Sequence, residues 1–453
     1  MARVFVMSNN GSPAIVKKNF NNINNKNDDR GLEREKSYHE DKNRKRENIF
    51  QDLISGSRVD VSWVKGFFTT LGIIVAGFPV TFLFTLVPAH DLIKNPECWY
   101  EILIHGAILH TSRPIAFCLP NSWFMNISQM RTPRTLATAC IFSNLVTTCW
   151  LVVGYYVWTH FFFFQYPIPF VGYSIYGVEL IVIMIVLFIR CPKRWHKSNS
   201  FKNQMKYFVI LILEPNVLDA ANTVVTQILR LYPNQYQTLI ALLLPLNREI
   251  TLFIFSKIIA KTANGDYTGA EIILNYSVSV QHTIWLCYNL GSFTTNVTSW
   301  TLMGIDFSLN IFLCVQMVWR KIRKHNKIDE QISTLQHLAA YELAEFHAPL
   351  SFLVMFVVAY YGPNSKLFGN ISNDYWGFTP IEDIHETVQN MSIFFVVDFA
   401  STIVSGIMLW SFCKINLWKA FLAIQKEFGI IFGIILADFL YIVSIFNVFL
   451  LWK

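Results

Sequence analysis

Seven polar side chains interrupt one otherwise apolar run, YFVILILEPNVLDAANTVVTQILRLYP: Glu214, Asn216, Asp219, Asn222, Thr223, Thr226 and Gln227. Asp219, Asn222, Thr223 and Thr226 follow the i, i+3, i+4, i+7 spacing that puts them on one face of a helix. The next apolar run, LLLPLNREITLFIF, carries Asn247, Arg248 and Glu249. In lipid, a lone carboxylate at the bilayer centre costs roughly 2.5–3.5 kcal/mol on insertion scales, so such a stripe must face protein or water. Two kinds of chemistry suit these residue types. They can neutralise one another so that the helices insert, or they can line a path for a solute or ion.

The spacing favours a specific pairing. Arg248 lies about ten residues into its run, or ~15 Å at 1.5 Å per residue, close to a bilayer midplane. The turn at 232–235 is centred between Asp219 and Arg248, so an antiparallel hairpin brings both to one depth. The sequence therefore predicts an Asp219–Arg248 ion pair, with Glu249 and Glu214 as competing carboxylates. Asn222, Thr226 and Asn247 exceed what a bare ion pair needs. With Asp219, Arg248 and Glu214 they make the candidate substrate-binding set. Pro215 and Pro245 each remove a backbone donor and release a carbonyl that could serve as a further ligand.

Other polar groups in apolar runs are candidates for the same interior: Glu179, Asn275, Gln281, His282, Asn289, Asp306, Asn310, Asp398 and Asp438. The run HLAAYELAEFHAPLSFLVMF adds Glu342, Glu345 and His347, expected at a solvated cytoplasmic end, with a kink at Pro349. Glu345 and His347 are two apart and so point to different helix faces.

The elements that must position these residues are membrane helices. Eleven apolar stretches run at 66–88, 101–125, 136–160, 171–190, 207–231, 236–260, 270–292, 297–319, 340–361, 388–413 and 429–452. A bilayer core of ~30 Å needs ~20 apolar residues per crossing. Hydrophobic residues are 53% of the 453 and charged residues only 15%, and the charges are segregated between the stretches. The expected fold is an all-α, polytopic transmembrane bundle over 61–453, preceded by a disordered basic tail at 1–60. Most of the 37 Lys and Arg residues fall in alternate inter-span segments. The positive-inside rule then puts the N-terminus in the cytoplasm and the C-terminus outside. The stretch 101–125 is the weakest span, because it holds His105, His110, Arg113, Pro114 and Pro120.

The longest outer loop, 362–387, is rich in aromatic residues and reads as an ordered cap. It contains the sequon at Asn370, a candidate glycosylation site. In the last span Gly429 and Gly433 form a GxxxG spacing that permits close helix approach.

The formal charge of +7 lies in short tracts beside apolar runs, which points to anionic inner-leaflet lipid as partner and not to nucleic acid. The eight cysteines are scattered without CxxC, so neither zinc nor a disulfide framework is expected, and no cofactor. Cys191 and Cys413, each beside Lys or Arg at a span end, have the setting of a palmitoylation site or of an ordinary membrane-edge cysteine. There is no P-loop, no TVGYG-like filter and no HExxH, which argues against ATP-driven pumping, a standard potassium pore and a zinc protease. The remaining reading is a multi-pass secondary transporter of a small polar or charged solute. The alternatives are an ion channel or ligand receptor, and an intramembrane lipid-modifying transferase. The last would use His347 or His282 beside Asp306 or Glu345. Composition does not choose between plasma membrane and endomembrane.

Overall fold

The computed structural model describes residues 50–54, 62–76, 104, 132–161, 171–190, 213–215, 217–226, 228–229, 234–262, 267–292, 296–322, 328–361 and 384–445. Nearly all of the tail 1–60, nearly all of the stretch 101–125, most of the loop 362–387 with Asn370, and Asn216, Gln227 and Cys191 lie outside the described residues.

Every regular element among the described residues is helical. In chain order these are α1 (Trp63–Val75), α2 (Pro133–Phe161), α3 (Val171–Arg190), α4 (Asn234–Ala241), α5 (Leu243–Thr262), α6 (Tyr267–Ser292), α7 (Asn296–Ile322), α8 (Ile328–Tyr361), α9 (Ile384–Met408) and α10 (Leu417–Ile445). Residues 213–215, 217–226 and 228–229 are also helical. Among the described residues five stretches are long and apolar enough to cross a membrane: Tyr236–Ile259, Val297–Trp319, Gln331–Val358, Val388–Cys413 and Leu417–Leu440.

Burial is inverted relative to a water-soluble domain. Ile430 is 81% exposed, Val297 71% and Phe253 62%, while Arg248, Asp306, Glu342, Glu345 and Asp398 are at most 2% exposed. Apolar side chains outside and charges inside fit lipid as the solvent, since hydrocarbon neither repels the former nor hydrates the latter. α6 is the inner axis of this arrangement: every residue from 269 to 289 is buried. With Glu271, Asn275, Gln281, His282 and Asn289 among them, α6 is sheltered by neighbouring helices and is not one of those five stretches.

Local chemistry explains the helix ends. Ser62 caps α1 by accepting from the Lys65 amide at 3.3 Å, and Asn416 caps α10 through the Lys419 amide at 3.2 Å. Pro245 cannot donate to Ala241, and a break at Leu242 separates α4 from α5. α9 runs into a π-helical turn, Leu409–Cys413, closed by Lys414 in the left-handed region at φ 58°. Lys321 reaches this end, donating from Nζ to the carbonyls of Cys413 at 2.8 Å and Ile54 at 2.5 Å. A cation suits these uncapped carbonyls. Burial pulls the Lys321 ammonium below the ordinary lysine value, against the neighbouring Cys413. Cys413 is itself 3% exposed, which closes its thiol to acylation in this conformation.

Two span boundaries are corrected. α8 starts at Ile328, not near 340, because Ile332, Leu335 and Leu338 continue its buried stripe through a polar sequence. α10 starts at Leu417, not 429, with Leu417, Phe421, Ile424 and Phe428 buried while Lys426 stays exposed.

The GxxxG pair of α10 meets α1. A Cβ on Gly433 would lie 3.1 Å from Ala76 Cβ and 3.7 Å from Ile73 Cα, and one on Gly429 would lie 2.7 Å from Thr69 Cγ2. Gly66 of α1 returns the contact against Leu422. Small residues therefore let these two backbones approach. Polar bonds then tie α1 inward: Thr70 Oγ1 donates to Gln425 Oε1 at 2.8 Å, and Ser351 Oγ to the Ile74 carbonyl at 3.3 Å.

Candidate functional site

Arg248 projects from the second turn of α5 and is 1% exposed. Its guanidinium Nη2 donates to Glu249 Oε1 at 2.8 Å and its Nε to the same oxygen at 3.1 Å. Nη1 faces Asp306 Oδ1 of α7 at 3.5 Å and Glu345 Oε1 of α8 at 4.0 Å, and it donates to the Tyr341 hydroxyl. The Arg248 Cζ also stands 4.5 Å from the Tyr341 ring centroid, a cation–π contact. Tyr341 in turn donates to Asp306 Oδ1 at 3.2 Å. Three helices thus meet on one buried cation.

A second ring of side chains surrounds this core. Asn310 Nδ2 donates to Glu345 Oε2 at 2.5 Å and to Ser401 Oγ at 2.9 Å. Thr402 Oγ1 donates to Glu342 Oε2 at 2.5 Å, and Ser401 Oγ to the Asp398 carbonyl at 2.7 Å. Pro349 lies inside α8 and lacks an N–H, so the carbonyl of Glu345, four residues earlier, loses its helical donor.

The predicted Asp219–Arg248 pair is not formed. Arg248 makes its ion pairs with Glu249, Asp306 and Glu345, while Asp219 Oδ1 accepts from Trp285 Nε1 of α6 at 2.8 Å. The cause is rotation about the helix axis. Asn247 faces the helical residues 217–226 and donates to Asn222 Oδ1 at 3.3 Å. The next residue is turned by about 100°, which aims Arg248 at α7 and α8. The cross-hairpin contact that forms lies one residue before Arg248 and three after Asp219. Glu249, the expected competitor, does take Arg248, and it is 53% exposed.

Asp219, Asn222, Thr226 and Glu214 are all buried. Gln281 Nε2 donates to the carbonyl of Pro215 at 2.7 Å; the carbonyl that the missing Pro215 N–H would free lies four residues earlier, outside the described residues. Two polar layers are therefore present, one around Asp219 and one around Arg248, adjoining through Asn247 and Arg248 on α5.

Of the other expected groups, Asp306, Asn310 and Asp398 converge near Arg248. Glu179 does not; it accepts from Ser143 at 3.0 Å between α3 and α2. Glu342, Glu345 and His347 are each 0% exposed, not at a solvated end, because the extension of α8 to Ile328 places them mid-helix. Glu345 and His347 do point apart. His347 Nδ1 meets the Tyr276 hydroxyl at 3.0 Å and its Nε2 meets Gln425 Nε2 at 3.5 Å. A histidine–carboxylate contact forms elsewhere, His337 Nε2 to Glu271 Oε2 at 3.1 Å. Tyr341 and Ser401 are site residues that sequence reasoning missed. Tyr341 sits seven residues after Thr334 in a helix whose polar face became visible only once its start was known.

Among the described residues no three His, Cys, Asp or Glu side chains are placed to hold a metal ion. The fold and site define a helical protein whose apolar helices suit a membrane and whose charged groups sit inside the bundle. No family model, no curated protein and no solved structure matches the chain.

Proposed function

We propose that this chain is a multi-pass membrane protein that acts as a secondary transporter for a small polar or charged solute. The observation that carries the reading is the surplus of polar groups around Arg248: one cation is met by Glu249, Asp306 and Glu345, with Tyr341 and Asn310 added. Neutralising a single arginine for insertion needs one carboxylate. Ionisable groups beyond that need, within the membrane and facing a bundle interior, are the usual mark of a solute or ion path. In this reading Asp219 and Arg248 bind or gate, and Asn222, Thr226 and Asn247 orient the solute, with Glu214 at the edge. The positive-inside rule sets the N-terminus in the cytoplasm and the C-terminus outside, with Asn370 on the outer face.

The transferase alternative loses support from the geometry, because His347 meets Tyr276 and Gln425 in place of a carboxylate.

The test is a stability screen of the purified full chain in detergent against a panel of small solutes. A solute at 100 times its Kd stabilises the folded state by about 2.7 kcal/mol, a readable rise in midpoint. The reading expects at least one polar or charged solute to stabilise the native chain and to lose that effect in Asn222→Ala. Stabilisation that survives Asn222→Ala and Thr226→Val together would remove these residues from the site.

A further inference from the structure

Hydrogen-bond donors and acceptors do not balance around Arg248. Asp306, Glu342, Glu345 and Asp398 are all at most 2% exposed. Asp306 Oδ2, Glu342 Oε1, Glu345 Oε1 and both carboxylate oxygens of Asp398 accept no hydrogen bond. Glu345 Oε1 has partial compensation from Arg248 at 4.0 Å. A different side chain points the same way: Asn310 Oδ1, on the carboxamide that donates to Glu345 and Ser401, is buried and has no donor.

An ionised carboxylate offers acceptors only, whereas a protonated one adds a donor. Four buried carboxylates against one buried guanidinium would leave a large uncompensated charge, and each ion costs several kcal/mol to desolvate. Protons would correct both deficits, cancelling charge and supplying O–H donors to oxygens such as Asn310 Oδ1. Among the described residues no three His, Cys, Asp or Glu side chains are placed to hold a metal ion there.

We propose that Glu342, Glu345 and Asp398 form a proton-binding site beside the Arg248–Asp306 pair, occupied at neutral pH, and that solute movement exchanges its protons. The first clause stands on the geometry alone; the exchange clause rests on the carrier reading. Asp306 stays ionised as the partner of Arg248 and Tyr341, while the other three share protons. The charged and titratable groups facing them are Arg248 and Glu249 from α5, His282 and Cys287 from α6, Cys314 from α7 and Tyr341 from α8 itself. α1 and α10 meet the opposite side of α8, at Ser351 and around His347.

Difference infrared spectroscopy of the full chain in lipid nanodiscs tests the site. The carboxylic acid C=O stretch should be present at neutral pH, should shift in D2O, and should lose amplitude in Glu345→Gln and in Asp398→Asn. Both amides imitate a neutral acid, so both variants should fold with midpoints close to the native value, whereas Asp306→Asn should not. If an amide variant fails to fold, carbon-13 labelling of Glu or of Asp in the unaltered chain assigns the band. Glu214 can contribute a background band, so the loss in the variants is the decisive reading. A band undiminished in both variants, or no band, overturns the site. For the exchange clause, proteoliposomes holding a trapped pH-sensitive dye should show an internal pH change on solute uptake. Uptake without that change overturns the coupling. An intact band in a protein that moves no solute retains the proton site and overturns the carrier reading.

Discussion

Replacing Arg248 with methionine should cost roughly 3–5 kcal/mol of stability, the range for removing one partner of a buried pair. The guanidinium is 1% exposed and is the cation for Asp306 and Glu345, which are themselves buried. Methionine fills a similar volume but leaves the Asp306 carboxylate desolvated without a counter-charge, and it takes a donor from the Tyr341 hydroxyl. The companion variant Arg248→Met with Asp306→Asn should recover much of the loss, because it removes charge from both sides. Asp219→Asn with Arg248→Met should recover far less, since Asp219 is engaged with Trp285. Thermal midpoints of the purified variants, with the fraction eluting as a folded peak, read the difference. Recovery by the Asp219 change in place of the Asp306 change would contradict the observed pairing.

Gly433→Leu should separate α1 from α10 and destabilise the chain by roughly 1–3 kcal/mol, as overpacking does at a tight contact. The new side chain would meet Ala76 Cβ at 3.1 Å and the Ile73 backbone at 3.7 Å, and backbone cannot step aside as a flexible side chain can. Losing that approach also strains the Thr70–Gln425 and Ser351–Ile74 bonds. Gly72→Leu is the matched control, because nothing lies within 4 Å of a Cβ there. Equal midpoints for the two variants would show that the GxxxG spacing plays no part in docking α1.

The glycine spacing was readable as a permission for close packing, but its partner was not, because one helix's sequence does not say which neighbour will use it. The same limit explains the arginine. Hairpin arithmetic expected Asp219 against Arg248, and the contact that forms, Asn222 to Asn247, lies three residues from the first and one from the second. It could not supply the rotation of α5, which is set by packing against α6, α7 and α8. The burial of Glu342 and Glu345 was hidden for another reason. Apolar content marks where a helix can meet lipid, whereas α8 continues through 328–339 on a narrow stripe of Ile332, Leu335 and Leu338. A charge-bearing turn such as Lys419 to Glu427 looks like a loop for the same reason, although it forms the first turns of α10. The helical class and the polar interior were legible because both follow from composition within each run.

Counterflow in proteoliposomes tests the central claim most directly: the chain moves a solute across the bilayer through its polar interior. Vesicles preloaded with an unlabelled solute from the stability screen should accumulate the labelled solute transiently, with no energy source. The native chain should give that overshoot, and Asn222→Ala with Thr226→Val should abolish it while the protein remains folded. Labelled solute that only equilibrates, at the rate of protein-free vesicles, would contradict the account.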